Sequence, residues 1–98
     1  MRVIAKRTLR AFWEAGHPDA RGPLEAWHNE AEKARWAGTA DIKARYSSAS
    51  FLPGNRVVFN IRGNTYRLIV RIRYDLGIVF VRWVGTHAAY DRIDATTV

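Results

Sequence analysis

The spacing of apolar residues changes near residue 55 and divides the chain into a helical part and an extended part. Before this point apolar side chains recur three and four positions apart, as in Leu9, Phe12 and Trp13, which is the spacing of one helix face. After it, apolar and polar residues mostly alternate, which is the spacing of strands. The pattern therefore predicts an α+β protein with its helices in the N-terminal part.

The individual elements follow from this periodicity and from the residues that interrupt it. We predict a strand over 2–5, helices over 8–15, 23–37 and 39–46, a loop over 47–50, strands over 57–61, 66–74 and 78–84, and a helical turn within 87–93. Gly63-Asn64 and Asp75-Leu76-Gly77 are typical of hairpin turns. The predicted architecture is one domain over 1–98, with N-terminal helices packed on a small antiparallel sheet.

The longest predicted strand has two chemically different faces. Its apolar face, which we expect to pack on the helices, carries Tyr66, Leu68, Val70 and Ile72. Its other face carries Arg67, Ile69, Arg71 and Arg73. Because burying unpaired guanidinium groups is costly, this second face is expected to point outward.

Charge makes that outward face a candidate binding surface. The chain carries a net charge of +7, and residues 56–82 contain six arginines but only one acid, Asp75. Arginine makes bidentate contacts with phosphate and stacks on bases better than lysine does, and no lysine follows Lys43. The composition therefore favours a nucleic acid or another polyanion as partner.

Several classes of site are excluded or disfavoured. There is no cysteine, which excludes disulfides and thiolate chemistry. No apolar run has the length of a signal peptide or a membrane span, so we expect a cytoplasmic protein with no membrane partner. The acids after residue 50 are Asp75, Asp91 and Asp94, and they do not form the carboxylate cluster of a two-metal nuclease. We therefore expect no metal and no cofactor.

Four segments together resemble a known family. They are PLEAWHNEAEKARW, TADIKARY, NRVVFNIRGNTYRLIVRI and VRWVGTHAAYDRID. With them the chain resembles, over nearly its whole length, the HigB family of bacterial toxins within the larger RelE/ParE-like group. The hairpin and tail segments carry most of this resemblance.

The resemblance implies a RelE-like fold and a defined activity. Such toxins are metal-independent endoribonucleases (mRNA interferases) that cut mRNA, typically in the ribosomal A site, and so inhibit translation. In the reaction the substrate 2′-hydroxyl attacks the adjacent phosphate. A helix-turn-helix antitoxin of the HigA kind neutralises the toxin, and the operon DNA is contacted only through that complex. The expected partners are therefore mRNA, the ribosome and the antitoxin.

The candidate catalytic residues are His87, Tyr90 and Arg67. Histidine can take or give a proton near neutral pH, tyrosine can stack on a base or orient a hydroxyl, and arginine stabilises charge on a phosphate. The alternatives are a loop histidine bonded to a backbone carbonyl and a tyrosine that closes the core. Asp91 either orients His87 or pairs with Arg92.

The candidate RNA-binding residues are Arg71, Arg73, Asn60 and Arg56. The alternative for the arginines is a solvated charged face, which an acidic antitoxin segment could also use. Asn64 is expected to serve the turn, and Trp36 and Trp83 are expected in the core. Two other functions remain open from the sequence: a gyrase poison of the ParE kind, and a module that coats nucleic acid without catalysis.

Overall fold

The computed structural model describes all 98 residues, which form five strands, four α-helices and a short 3₁₀ helix over Pro18–Ala20. The strands are β1 (Arg2–Ile4), β2 (Ser50–Leu52), β3 (Arg56–Ile61), β4 (Tyr66–Arg73) and β5 (Ile78–Thr86). The helices are α1 (Lys6–Glu14), α2 (Arg21–Lys33), α3 (Thr39–Arg45) and α4 (His87–Tyr90). The α+β class is confirmed, and none of the helices has the length and apolar content that a membrane crossing requires.

The sheet is mixed and not purely antiparallel. Its strand order is β1-β5-β4-β3-β2. Strands β2 to β5 form the predicted antiparallel pairs, but β1 pairs parallel to β5, with Arg2 opposite Ile78. The prediction of an antiparallel sheet is therefore wrong at this edge. A parallel pair needs a long crossover, and all of α1 to β4 lies between these two strands.

Two short segments also differ from the prediction. The expected loop over 47–50 ends in β2, which adds an edge strand beside β3 with Ser50 opposite Val58. Helix α2 ends at Lys33 and not near residue 37. Beyond it Trp36 turns into the core and its ring stacks on Phe59, with the ring centroids 6.2 Å apart. Both differences depend on contacts with distant residues, which local periodicity does not report.

The main core lies between the helices and one face of the sheet. Phe59 is at its centre, with the rings of Trp27, Trp36 and Tyr46 around it. The predicted core positions of β4, namely Tyr66, Leu68, Val70 and Ile72, are all buried in this cluster. Burial of such rings is the main source of stability in a small domain. Because the core occupies one face of the sheet, the opposite face is not covered by helices.

We call that opposite face, which carries Arg56, Arg67, Arg71 and Arg73, the arginine face. Arg71 and Arg73 are exposed as predicted, whereas Arg67 is half-buried. Ile69 is fully buried here although it is outside the main core. The last residues of the chain lie against this face, since the Val98 carbonyl oxygen accepts hydrogen bonds from Arg56 (2.5 Å) and Arg82 (3.3 Å).

Candidate functional site

Two hydrogen bonds, one to a side chain and one to a backbone carbonyl, hold helix α4 at the end of the sheet. The Thr86 hydroxyl oxygen accepts a hydrogen bond from the Ala89 N–H at 3.1 Å, which caps the helix. The His87 N–H donates to the Thr65 carbonyl oxygen at 3.1 Å, and Thr65 directly precedes β4. The predicted turn after β5 is therefore present, and it brings His87 and Tyr90 to the end of β4 that carries Arg67.

Arg67 and Tyr90 are in direct contact. The Cζ atom of Arg67 lies over the Tyr90 ring, 5.5 Å from its centroid, which is cation–π geometry. Nη1 of Arg67 donates to the side-chain oxygens of Asn60 and Asn64, the latter at 2.5 Å. Its Nε and Nη2 groups have no acceptor within the protein. One edge of the guanidinium is thus held by amides while the other remains available for a ligand.

The partners of Arg67 leave its charge uncompensated. Arg73 pairs with Asp75 at 2.7 Å and Arg62 with Asp19 at 3.3 Å, so carboxylates balance these two cations. Arg67 is bonded only to neutral amides. A phosphate would meet a net positive charge at Arg67, whereas at Arg73 it would compete with Asp75. Among the predicted arginines, Arg67 is therefore better placed than Arg73 for an anion.

Asn60 and Asn64 position the guanidinium. Asn60 was predicted to contact RNA, and Asn64 to serve only the turn. In the structure both aim their amide oxygens at the same nitrogen of Arg67. Asn60 stands directly opposite Arg67 in the β3–β4 ladder, and Asn64 lies three residues before it. This shared role was not predicted from the sequence. The signal was present, because the Gly63 turn sets a register that places Asn60 opposite Arg67.

His87 is accessible and lies near one acid. Its side chain is 43% exposed, and its Nδ1 lies 3.7 Å from Oδ2 of Asp91. This separation is too long for a hydrogen bond, and no side-chain hydrogen bond holds the ring. The side chain makes no bond to a backbone carbonyl oxygen, whereas the His87 N–H does, and the catalytic role of His87 stays a prediction. Asp91 makes no ion pair with Arg92 and lies beside His87 without a hydrogen bond to it, so its role in orienting His87 stays a prediction.

Arg56 and Arg71 continue the positive surface along the sheet. They stand opposite each other on β3 and β4. Arg71 makes no ion pair, whereas Arg56 donates to the Val98 carbonyl oxygen and lies within electrostatic range of Asp94. Like charges in directly opposed positions destabilise a sheet, and an anion bound beside Arg71 would relieve the repulsion that remains. Arg82, on β5, also donates to the Val98 carbonyl oxygen.

Trp83 lies on the arginine face and not in the core, where it was predicted. It stands opposite Ile69 on the neighbouring strand and is half-buried, whereas Trp36 is buried as predicted. Its ring centroid is 6.2 Å from that of Tyr90, and the two rings are inclined by 55°. Alternation along β5 did not predict the face of Trp83, because Arg82 forms a bulge. Val81 and Trp83 pair with the consecutive residues Val70 and Ile69, so they lie on opposite faces of the sheet.

A second cluster ties the β3–β4 hairpin to the helices. Tyr66 donates to Oδ1 of Asp19 at 2.5 Å, and Arg62 pairs with the same carboxyl. The bond from Tyr66 lowers the pKa of Asp19, and the same bond raises the pKa of Tyr66. His17 stacks on Phe12, with its edge toward Tyr66. This clamp holds the strand that presents Arg67, and sequence analysis did not identify it.

The site contains no group of ligands suited to a metal ion. No three His, Asp or Glu side chains lie close enough together to hold one. The chemical groups gathered at this end of the sheet are one guanidinium, one imidazole, two aromatic rings and two amides. Such a set can bind a phosphate, transfer a proton and stack on a base.

The family comparison agrees with the resemblance drawn from the sequence. Residues 20–93 match the model of the family described as HigB_toxin, RelE-like toxic component of a toxin-antitoxin system. The matched region includes α2, α3, all of β2 to β5 and α4, and so every candidate site residue. No curated protein matches the chain.

Proposed function

The chain belongs to the HigB family of RelE-like toxins, the toxic components of toxin–antitoxin systems, and from this premise we propose that it is a metal-independent endoribonuclease. In this proposal it cuts mRNA on the ribosome in the cytoplasm and so stops translation. A cognate helix-turn-helix antitoxin neutralises it. The single observation that carries the proposal is the uncompensated Arg67 guanidinium in contact with Tyr90, one helical turn from the accessible His87.

The proposed reaction uses the substrate's own 2′-hydroxyl as nucleophile. His87 takes the proton from this hydroxyl as its oxygen attacks the adjacent phosphorus. The P–O5′ bond breaks, which leaves a 2′,3′-cyclic phosphate on one fragment, and the departing 5′-oxygen takes a proton from water. Arg67 stabilises the negative charge that develops on the phosphoryl oxygens. Tyr90 holds the nucleotide at the scissile position.

The remaining candidate residues hold the RNA on either side of that position. Arg71, which makes no ion pair, would contact the backbone further along the sheet, and Arg56 would join it by exchanging the Val98 carbonyl oxygen for a phosphate oxygen. Arg73 would contribute less because Asp75 already balances its charge. Asn60 would act through Arg67. An acidic segment of the antitoxin would bind the same arginine face, so RNA binding and neutralisation would exclude each other.

The decisive experiment measures cleavage by the purified protein in the presence of EDTA. Ribosomes programmed with a short mRNA are incubated with wild-type protein or with His87→Ala, and primer extension maps the cut sites. We expect cuts with the wild type and a loss of about 10²- to 10⁴-fold with the variant, while circular dichroism shows the same fold.

Other outcomes separate the competing functions. A gyrase poison would leave mRNA intact and trap cleaved DNA in a supercoiling assay with gyrase. A module that only coats nucleic acid would bind RNA and cut neither substrate. Full cleavage by His87→Ala would refute the assigned role of His87, and cleavage that disappears with EDTA would refute the metal-independent reaction.

A further inference from the structure

Trp83 is the one tryptophan that is only half-buried. Trp13, Trp27 and Trp36 are at most 7% exposed and belong to the main core. Trp83 lies on the arginine face of β5, next to the segment that carries His87 and Tyr90. A large aromatic ring on a cationic surface does not help to keep a protein soluble. It has the shape and chemistry of a base-stacking group.

Gly85 makes room for this ring. A Cβ atom at Gly85 would lie 2.5 Å from Cζ2 of Trp83, which is too close for any real side chain. The backbone of Gly85 does not have the positive φ that favours glycine at Gly16, Gly54, Gly63 and Gly77. The reason for glycine here is therefore the close approach of the indole. The ring lies along the strand and extends toward α4.

The indole ends beside the group proposed to bind phosphate. Gly85 stands directly opposite Arg67 in the β4–β5 ladder. The Tyr90 ring is close to both the indole and the guanidinium: its centroid lies 6.2 Å from the Trp83 ring centroid and 5.5 Å from Cζ of Arg67. The two rings are inclined by 55° with centroids 6.2 Å apart, so they contact each other and form one aromatic surface. A cation suited to a phosphate adjoins this surface, because Arg67 lies over the Tyr90 ring.

We propose that Trp83 and Tyr90 form a stacking site for one unpaired nucleobase of the RNA, with Gly85 beneath the indole and Arg67 on the adjoining phosphate. This site rests on the proposed function and adds a substrate-recognition element to it. Stacking accepts every base because each has a π-face, and it requires the base to leave its stack on neighbouring bases. The site therefore selects single-stranded RNA at the cleavage position.

A purely structural role of Trp83 makes a different prediction. The ring also stands opposite the buried Ile69, and removing it will lower stability to some extent whether or not it binds a base. The experiment must therefore separate loss of a stacking partner from loss of structure. Varying the ligand as well as the protein achieves this.

The test is a double-mutant cycle between Trp83 and the nucleobase. The ligand is a short single-stranded RNA that carries 2′-O-methyl groups throughout, which removes the nucleophile and prevents cleavage. A second set of oligonucleotides lacks one base each, at successive positions. Binding of wild-type protein and Trp83→Ala to both sets is measured by fluorescence anisotropy at low salt, and thermal unfolding is followed in parallel.

Stacking predicts a coupling that a structural role does not. Trp83→Ala should weaken binding of the intact RNA about tenfold, the scale of one base–aromatic stack. It should have no further effect on the oligonucleotide that lacks the stacked base. Equal weakening for every oligonucleotide overturns the proposal. The intrinsic fluorescence of wild-type protein should also be quenched by intact RNA, and Trp83→Phe should abolish the quenching while Trp36→Phe should preserve it.

Failure of the stacking site is distinguishable from failure of the proposed function. If wild-type protein cuts ribosome-bound mRNA and the cycle shows no coupling, only the stacking site is wrong. If the protein neither cuts nor binds RNA, both proposals are overturned.

Discussion

Asn60→Asp should convert Arg67, which we propose binds phosphate, into an internally paired arginine. Asn60 accepts a hydrogen bond from Nη1 of Arg67, and aspartate has nearly the same shape as asparagine. The substitution therefore preserves the contact and adds one negative charge. Arg67 would then resemble Arg73, whose guanidinium is balanced by Asp75. Because this variant keeps the geometry but cancels the charge, it tests directly whether the uncompensated charge of Arg67 attracts phosphate.

The size of the effect follows from the position of the pair at the surface. Two unit charges 4 Å apart attract by about 4 kcal/mol at an effective dielectric constant of 20, but solvent screening reduces exposed ion pairs to about 1 kcal/mol or less. Arg67 is half-buried, so we expect a loss of about 1 to 2 kcal/mol in its attraction for phosphate. This corresponds to a fall of roughly tenfold in cleavage rate, with unchanged or slightly higher thermal stability.

Two measurements and a matched control define the outcome. Anisotropy titrations with the 2′-O-methyl RNA across a salt series should show a slope smaller by about 0.7, the value for one lost phosphate contact on a single strand. Primer extension on programmed ribosomes should show the slower cleavage. The control is Asn29→Asp on the exposed side of α2, which lowers the net charge by the same single unit from +7 to +6.

The control decides how the result is interpreted. If Asn29→Asp weakens binding as much as Asn60→Asp, total charge and not Arg67 governs the interaction. Wild-type cleavage and an unchanged salt slope in Asn60→Asp would refute the reasoning, because a carboxylate bonded to the guanidinium cannot leave its attraction for phosphate unaltered.

Two further predictions concern packing and pH. Gly85→Ala should destabilise the fold by about 1 to 3 kcal/mol through overpacking, measured by urea unfolding. Combining it with Trp83→Phe should restore most of the lost stability, since phenylalanine lacks the clashing atoms. If the double variant shows no recovery, the contact between Gly85 and the indole is wrong. The Asp19–Tyr66 bond, which lowers the pKa of Asp19 below 3.8 and raises that of Tyr66 above 10.0, should stabilise the fold fully between these two values. Its contribution should disappear as pH falls through the lowered value or rises through the raised one. Tyr66→Phe should flatten both the acidic and the alkaline limb of thermal stability, and unchanged limbs would show that other groups cause them.

Local pattern predicted the parts of this fold that depend on near neighbours. Alternation placed Leu68 and Val70 in the core and Arg71 outside it, and the Gly63 turn set the register that brings Asn60 opposite Arg67. The parallel pairing of β1 was not predictable in this way. A three-residue strand carries too little alternation to identify its partner, which lies more than 70 residues away in the chain.

The candidate site was predictable in its residue types but not in its electrostatics. Sequence analysis treated the arginines of β4 as one set, because strand periodicity assigns all of them to the same face. Tertiary contacts then separate them: Asp75 neutralises Arg73, whereas amides hold Arg67 and leave its charge uncompensated. The number of cations in a basic chain therefore says little about which of them can bind a substrate. What distinguishes Arg67 is the chemistry of its partners, and a carboxylate at either asparagine position would remove that distinction without moving the arginine.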